Sequence, residues 1–152
     1  MTPSLTQHLL ELKTSVGYSA AIDHPFLQNA SLGTVNHDLL GLWLAQDRLY
    51  AAHAYPRFIG SLISLIPFHA SHAIGSDEEN HTNRILDVLT FALTNVIREV
   101  NFFKDTAREW NLKIEGWGER KGTRDYTAEM ARVTGGSGFV DGLVFLWAME
   151  KV

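Results

Sequence analysis

Three carboxylates occupy positions where the helical hydrophobic pattern places core residues. They are Asp47, Glu99 and Glu150, and at about 100° per residue each falls on the apolar stripe of its own helix. A buried carboxylate without a partner costs several kcal/mol, so such a residue is normally paired or hydrogen-bonded. Three of them on three facing stripes predict a polar pocket inside a helical bundle, where carboxyl groups could serve as general acids and bases.

Aromatic side chains border these positions. Tyr50 comes three residues after Asp47, so the two are neighbours on one helix surface. Trp43, Phe103 and Trp147 lie along the same helices and extend the expected lining. Each carboxylate taken alone could instead point to solvent or accept a hydrogen bond from a buried tyrosine or tryptophan. Together with the aromatic residues, the three carboxylates favour a ligand pocket.

Clustered carboxylates in a helical bundle also suggest a di-metal centre. Such centres combine two glutamates with two Glu-x-x-His motifs. The residue three positions after Glu99 is Phe102, and the residue three positions after Asp47 is Tyr50. Neither motif is present, so we predict a site without metal.

Composition limits the class of protein. The 152 residues are 45% apolar and 20% charged, with a net charge of −4 and no cysteine. These values predict one globular domain over residues 1–152 and disfavour nucleic acid as a ligand. The lack of cysteine excludes thiol catalysis and fits a reducing compartment. The N-terminus does not resemble a signal peptide and no apolar run could span a bilayer, so we expect a cytoplasmic protein with no membrane partner.

Helical periodicity covers almost the whole chain, and two-residue alternation is nearly absent, which predicts an all-α protein. A kink is expected at Pro56, within the second of five predicted helices. We expect a loop over residues 28–34 and a surface connection over 68–80. The five helices are expected at about residues 4–21, 36–66, 79–111, 124–134 and from 137 to the end of the chain.

Several motifs, in this order, resemble the TenA (thiaminase II) family, whose members share a haem-oxygenase-like helical bundle. The resemblance covers essentially the whole chain from His24 onward. The matching segments are His24–Leu27 (HPFL), Trp43–Tyr50 (WLAQDRLY), Tyr126 with Thr127, Gly138–Leu143 (GFVDGL) and Trp147–Glu150 (WAME).

The resemblance implies an aminopyrimidine aminohydrolase of thiamin salvage, which needs no cofactor and converts an aminomethyl-pyrimidine to the hydroxymethyl-pyrimidine. Asp47 would then hydrogen-bond the aminopyrimidine edge, and Tyr50 and Tyr126 would line the ring. Many members carry a cysteine on the last of these helices, and one subgroup has glutamate there. Glu150 is our candidate for that glutamate, although Met149 could take the position instead.

The remaining site predictions rest on the hydrophobic stripes. On that ground we expect Glu99 and Trp43 to contribute to substrate binding. The resemblance implies Asp47 and Glu150 as the catalytic pair. The last helix has no stop signal, and family members continue into further C-terminal helices with another catalytic glutamate. We therefore expect a bundle that lacks those helices and covers its exposed apolar faces by forming a homo-oligomer.

Two other functions stay open at the level of sequence. The same fold could serve a non-catalytic pyrimidine-binding or regulatory protein. It could also serve a haem-oxygenase-like oxidative enzyme that uses a metal or haem.

Overall fold

The computed structural model describes residues 3–136 and 138–151, and no strand occurs among them. The prediction of an all-α helical bundle is confirmed. None of the helices in this part of the chain combines the length and hydrophobicity that crossing a bilayer requires. The helices are α1 (Leu5–Glu11), α2 (Ser19–Ile22), α3 (Pro25–Ser31), α4 (His37–Leu49), α5 (Tyr55–Ser64), α6 (Asp77–Glu109), α7 (Lys121–Gly135) and α8 (Phe139–Lys151), with a π-helical turn at Tyr50–Ala54 between α4 and α5.

Residues 3–36 form one compact unit and residues 37–151 another. A single domain over 1–152 stays a prediction. The first unit contains three short helices that bury no side chain. The expected helix over 4–21 is wrong, because α1 ends at Glu11 and the next residues include Gly17, which destabilises a helix interior.

The expected loop over 28–34 is also partly wrong, because α3 continues to Ser31. His24 caps this helix: its Nδ1 accepts a hydrogen bond from the backbone N–H of Phe26 at 3.1 Å. Pro25 then occupies the first helical turn, where its missing N–H costs nothing. His24 and Pro25 therefore begin a helix.

The second unit is built around one apolar core. Helix α6 supplies residues seven positions apart, and α5 packs against α6, α7 and α8. At Gly142 helix α8 lies so close to α5 that an added Cβ would overlap Leu62. The largest fully buried side chains in the described chain are Phe58, Ile59, Leu62, Leu89 and Met130.

The predicted kink at Pro56 takes the form of the π-helical turn. The backbone N–H of Tyr55 donates to the carbonyl of Tyr50, five residues earlier. A proline inside a helix removes one hydrogen bond and crowds the carbonyl four residues before it, and a widened turn relieves that crowding. In a regular α-helix Tyr50 and Tyr55 would point about 140° apart. Here their ring centroids are 5.9 Å apart.

Helix α6 has a capping hydrogen bond at its start and a hydrogen-bonded turn after its end. At its start the hydroxyl of Ser76 accepts a hydrogen bond from the N–H of Glu79. After its end Asn111 has a positive φ of 50°, and the N–H of Leu112 donates to the carbonyl of Ala107 at 2.8 Å. This tight reversal brings the following loop back along the helix.

Candidate functional site

Ionisable side chains from α4, the π-helical turn, α5, α6, α7 and α8 interact with one another in the second unit. The predicted burial of three carboxylates inside the bundle is wrong in part, because Glu99 and Glu150 are exposed and only Asp47 is half-buried. Ring contacts, one hydrogen bond and electrostatic interactions connect them. We call them the carboxylate–tyrosine cluster, and its members are Asp47, Tyr50, Tyr55, Glu99, Tyr126 and Glu150.

A row of aromatic rings forms one side of the cluster. The rings of Tyr55 and Tyr50 meet edge to face, and the ring centroids of Tyr50 and Tyr126 are 5.5 Å apart. Tyr126 in turn lies 5.8 Å from Phe145 of α8. Three of these residues carry a phenol, so the row presents hydroxyl groups as well as ring faces.

Glu150 is held by a hydrogen bond. The hydroxyl of Tyr55 donates to Oε1 of Glu150 at 2.6 Å, a short distance typical of a bond to a charged acceptor. Tyr55 is 3% exposed. Burial, followed by this hydrogen bond, raises the pKa of Tyr55, so the phenol keeps its proton and stays a donor. Met149, by contrast, packs against the apolar core.

Asp47 has the most perturbed carboxyl group of the cluster. Burial, with a smaller contribution from the negative charge of Glu99, raises its pKa from 3.8 to about 6. Burial and the nearby charge of Glu150 also raise the pKa of Glu99, although that side chain is more exposed than Asp47. The carboxyl of Asp47 is therefore protonated in about half of the molecules near pH 6 and in about a tenth of them at pH 7, and the protonated form can donate as well as accept.

The two remaining tyrosines keep their protons as well. Burial, followed by the charges of Glu150 and Asp47, raises the pKa of Tyr126 to about 12. Burial and the neighbouring Tyr126 raise the pKa of Tyr50 further. Both phenols are therefore neutral hydrogen-bond donors or acceptors at physiological pH.

Gln46 fixes the position of α7 relative to α4. Its Nε2 donates to the carbonyl of Gly118 at 3.1 Å. Its Oε1 accepts from the backbone N–H of Arg120 at 2.7 Å and from the hydroxyl of Thr123 at 2.8 Å. The side-chain amide of Gln46 thus provides hydrogen-bond partners for the backbone just before α7 and for Thr123 in its first turn. This holds Tyr126, one turn further along, beside Tyr50.

The structure thus brings together five of the six residues predicted to be catalytic or to bind substrate: Asp47, Tyr50, Glu99, Tyr126 and Glu150. The sixth, Trp43, lies one turn before Asp47 and is 41% exposed, and its part in binding stays a prediction. Sequence reasoning missed Tyr55, because a helical wheel turns it away from Tyr50. The signal was Pro56, which indicated an irregular helix at that point.

No group of three or more His, Asp or Glu side chains in residues 3–136 and 138–151 is arranged to hold a metal ion. Carboxyl and phenol groups supply the polar chemistry of the cluster. They can exchange protons, donate and accept hydrogen bonds, and contact a flat ring.

Comparison with known proteins gives two relatives. The chain is 33% identical over 153 residues to a "Probable transcription factor" of Fusarium pseudograminearum (strain CS3096). It is 22% identical over 136 residues to a "Probable bifunctional TENA-E protein" of Glycine max. The two matches cover 97% and 89% of this chain, but only 29% and 55% of the relatives themselves. No family model and no solved structure matches the chain.

Proposed function

We propose that this chain is a TenA-like enzyme with a haem-oxygenase-like bundle, which hydrolyses an aminomethyl-pyrimidine to hydroxymethyl-pyrimidine and ammonia. The observation that carries the proposal is the carboxylate–tyrosine cluster, in which Asp47 has a pKa of about 6, Glu150 is bound to Tyr55, and the rings of Tyr50 and Tyr126 are 5.5 Å apart. The similarity to the Glycine max protein named TENA-E supports the same assignment.

Recognition of the ring would depend on Asp47. An aminopyrimidine edge presents a ring nitrogen that accepts a hydrogen bond beside an exocyclic amine that donates one. A carboxyl group that carries a proton offers the matching donor and acceptor side by side. Because the pKa of Asp47 is raised to about 6, the proton needed for this pairing is available close to neutral pH. Tyr50 and Tyr126, with ring centroids 5.5 Å apart, would pack along the ring.

The chemical step would depend on Glu150. Its carboxylate would take a proton from the attacking water as the new carbon–oxygen bond forms. The carboxyl group would then give that proton to the leaving amine as the carbon–nitrogen bond breaks, so one hydroxymethyl product and one ammonia leave and the carboxylate is restored. A single carboxyl that acts in turn as acid and base is a common device in hydrolases.

Tyr55 would position this carboxyl. Its phenol holds one oxygen of Glu150 at 2.6 Å, and it therefore fixes the direction in which the second oxygen points. The short hydrogen bond comes from a side chain that is itself fully packed, so the orientation is rigid before substrate arrives.

The direct test is incubation of the full chain with the aminomethyl-pyrimidine and measurement of hydroxymethyl-pyrimidine and ammonia. We expect both products in equal amounts. Replacing Glu150 by Gln or Asp47 by Ala should lower the rate by about 100-fold or more. Asp87→Asn is the matched control, because Asp87 is an exposed carboxylate on α6 outside the cluster, and its rate should equal that of the wild type.

Three outcomes would contradict the proposal. Binding of the pyrimidine without product, unchanged by Glu150→Gln, would indicate a binding or regulatory protein. Stoichiometric iron in the purified chain would indicate an oxidative enzyme. Neither binding nor turnover would remove the pyrimidine as the ligand of this cluster.

A further inference from the structure

A cavity of about 510 Å³ lies between the end of α4, the end of α6 and the loop that follows α6. Its polar lining consists of Arg48, Lys104, Arg108, Asn111, Lys113 and Glu115, which together we call the basic cavity. None of these residues belongs to the carboxylate–tyrosine cluster. The volume falls in the range of small-molecule sites.

The charges of the basic cavity are not balanced within the protein. Four cationic side chains face one carboxylate there, in a chain whose net charge is −4. Arg108 pairs with Asp105 at 3.3 Å on the exposed surface. The side chains of Arg48, Lys104 and Lys113 have no ion pair or hydrogen bond within the described residues, and Arg48 is half-buried.

Helix dipoles explain only part of this arrangement. Cations near the last turn of a helix interact favourably with its negative end, which accounts for Arg108 and partly for Lys104 on α6. Arg48 comes from α4, which continues into the π-helical turn, so the helix end that it meets in the cavity is that of α6. Lys113 lies beyond α6, in the loop. The charge of the half-buried Arg48, which has no partner within the described residues, must be met by that helix end, by water or by an anionic ligand.

The walls of the basic cavity are fixed by the fold. Helix α4 touches the loop at Gly41, where an added Cβ would lie 2.9 Å from the carbonyl oxygen of Lys113. The indole N–H of Trp117 donates to that same carbonyl at 2.8 Å. Leu112 is 7% exposed and anchors the loop in the core. The backbone of the loop is therefore fixed against α4, and Lys104, Arg108 and Lys113 extend from this surface as exposed side chains.

We propose that the basic cavity binds a small molecule through a phosphate or pyrophosphate group. A phosphate monoester carries close to two negative charges and three acceptor oxygens. A guanidinium matches two of those oxygens with a planar pair of donors, and lysines add compact positive charges. Phosphate thus satisfies Arg48, Lys104 and Lys113 at once, and a single carboxylate supplies too little charge to do so. The site is independent of the proposed hydrolysis.

Isothermal titration calorimetry of the full chain with inorganic pyrophosphate at low salt tests the proposal. We expect saturable binding of one pyrophosphate per chain. Arg48→Gln should weaken it at least tenfold, and Lys113→Gln, at a residue away from the core helices, should weaken it in the same direction. Arg84→Gln is the matched control, because it removes the same charge from an exposed position on α6, and it should leave the affinity within twofold.

Other outcomes would overturn the proposal. These are no saturable binding, equal weakening by Arg84→Gln and Arg48→Gln, or displacement of pyrophosphate by a lower concentration of polyglutamate. The last result would indicate an acidic protein segment as the partner. The aminomethyl-pyrimidine should not compete with pyrophosphate, so this result does not depend on the fate of the proposed hydrolysis.

Discussion

Two neighbouring residues of α4 lead into two regions of opposite charge. Asp47 belongs to the carboxylate–tyrosine cluster, and Arg48, about 100° further around the helix, lines the basic cavity. The cluster resolves its excess of negative charge internally. Asp47 and Glu99 have raised pKa values, and Glu150 accepts a hydrogen bond from Tyr55. Within the described residues, Arg48, Lys104 and Lys113 of the basic cavity have no ion pair or hydrogen bond that compensates their charges.

The difference follows from the chemistry of the two charge types. A carboxyl group that is buried away from water or lies beside another negative charge can take up a proton and become neutral. An arginine cannot lose its proton in a protein, so its charge must be met by water or by an anion. The carboxylate–tyrosine cluster is therefore suited to moving protons, and the basic cavity is suited to holding a permanently charged ligand. Each of the following predictions tests that separation.

The largest effect is expected from crossed substitutions in the two regions. Glu150→Gln should reduce turnover of the aminomethyl-pyrimidine by about 1,000-fold, because the general acid is lost, and it should leave pyrophosphate affinity unchanged. Arg48→Gln should leave turnover within twofold and weaken pyrophosphate binding at least tenfold. Steady-state kinetics and calorimetry on the same preparations measure both.

A loss of both activities in either variant would mean that the two regions form one site. The double variant provides a further check. If the sites are separate, the effects of the two substitutions on each measurement should add as free energies.

The second prediction concerns the cost of keeping Asp47 charged. Its pKa is about 6 in the folded chain against 3.8 ordinarily, so the folded state binds the proton more tightly than the unfolded one. Below about pH 4 Asp47 is protonated in both states and does not change the free energy of unfolding. As the pH rises from 4 to 6 its ionisation lowers the free energy of unfolding, and above about pH 6 this cost is complete. Asp47→Asn should therefore raise the free energy of unfolding at pH 7.5 by at most about 3 kcal/mol, as measured by urea denaturation.

The pH dependence separates this effect from ordinary repacking. The stability gain of Asp47→Asn should shrink towards zero at pH 4, and Asp87→Asn should show no comparable gain at either pH. A gain that stays the same at both values would mean that charge burial is not its cause. Stabilisation together with loss of turnover would show that the carboxylate is kept for function at the expense of stability.

Much of the second unit was predictable from the sequence because α6 and α8 have regular hydrophobic periodicity and Ser76 caps α6. Leu89, Val96 and Phe103 recur at seven-residue spacing and are buried in the core, although Phe103 was expected to line the pocket. The first unit was less predictable, since its helices are short and bury no side chain. With no burial to reinforce a pattern, local capping by His24 and the break before Gly17 determine the helices there.

The candidate site divides in the same way. Asp47, Glu99 and Glu150 were found because each interrupts a regular apolar stripe. Tyr55 could not be found by the same method, since the π-helical turn before Pro56 changes the angle between successive side chains. The basic cavity was also missed: Arg48, Lys104 and Lys113 are far apart in sequence, and only the reversal after α6 brings them together.

The third prediction tests how α7 is held beside the cluster. Gln46→Ala removes three hydrogen bonds to the start of α7 and should lower the free energy of unfolding by about 2 kcal/mol. Because Tyr126 loses its fixed position, KM for the pyrimidine should rise several-fold, whereas pyrophosphate affinity should not change. Urea denaturation and kinetics provide the measurements.

Gln46→Glu is the informative comparison for that variant. It keeps an acceptor for the N–H of Arg120 and for Thr123, but it replaces the donor to Gly118 by a carboxylate oxygen that repels that carbonyl. It should therefore recover part of the stability and of the KM. An unchanged KM in Gln46→Ala would show that Tyr126 is positioned by other contacts.

The smallest effect is expected from Tyr55→Phe, which removes one hydroxyl and keeps the ring contacts with Tyr50 and Phe58. Glu150 then loses the donor at 2.6 Å that orients it but stays accessible to water. We expect kcat to fall about tenfold, equivalent to 1.4 kcal/mol, with KM within twofold and pyrophosphate affinity unchanged. Tyr18→Phe, in the first unit, is the control. If kcat/KM falls about tenfold because KM rises while kcat is unchanged, Tyr55 contributes to binding the substrate rather than to positioning Glu150.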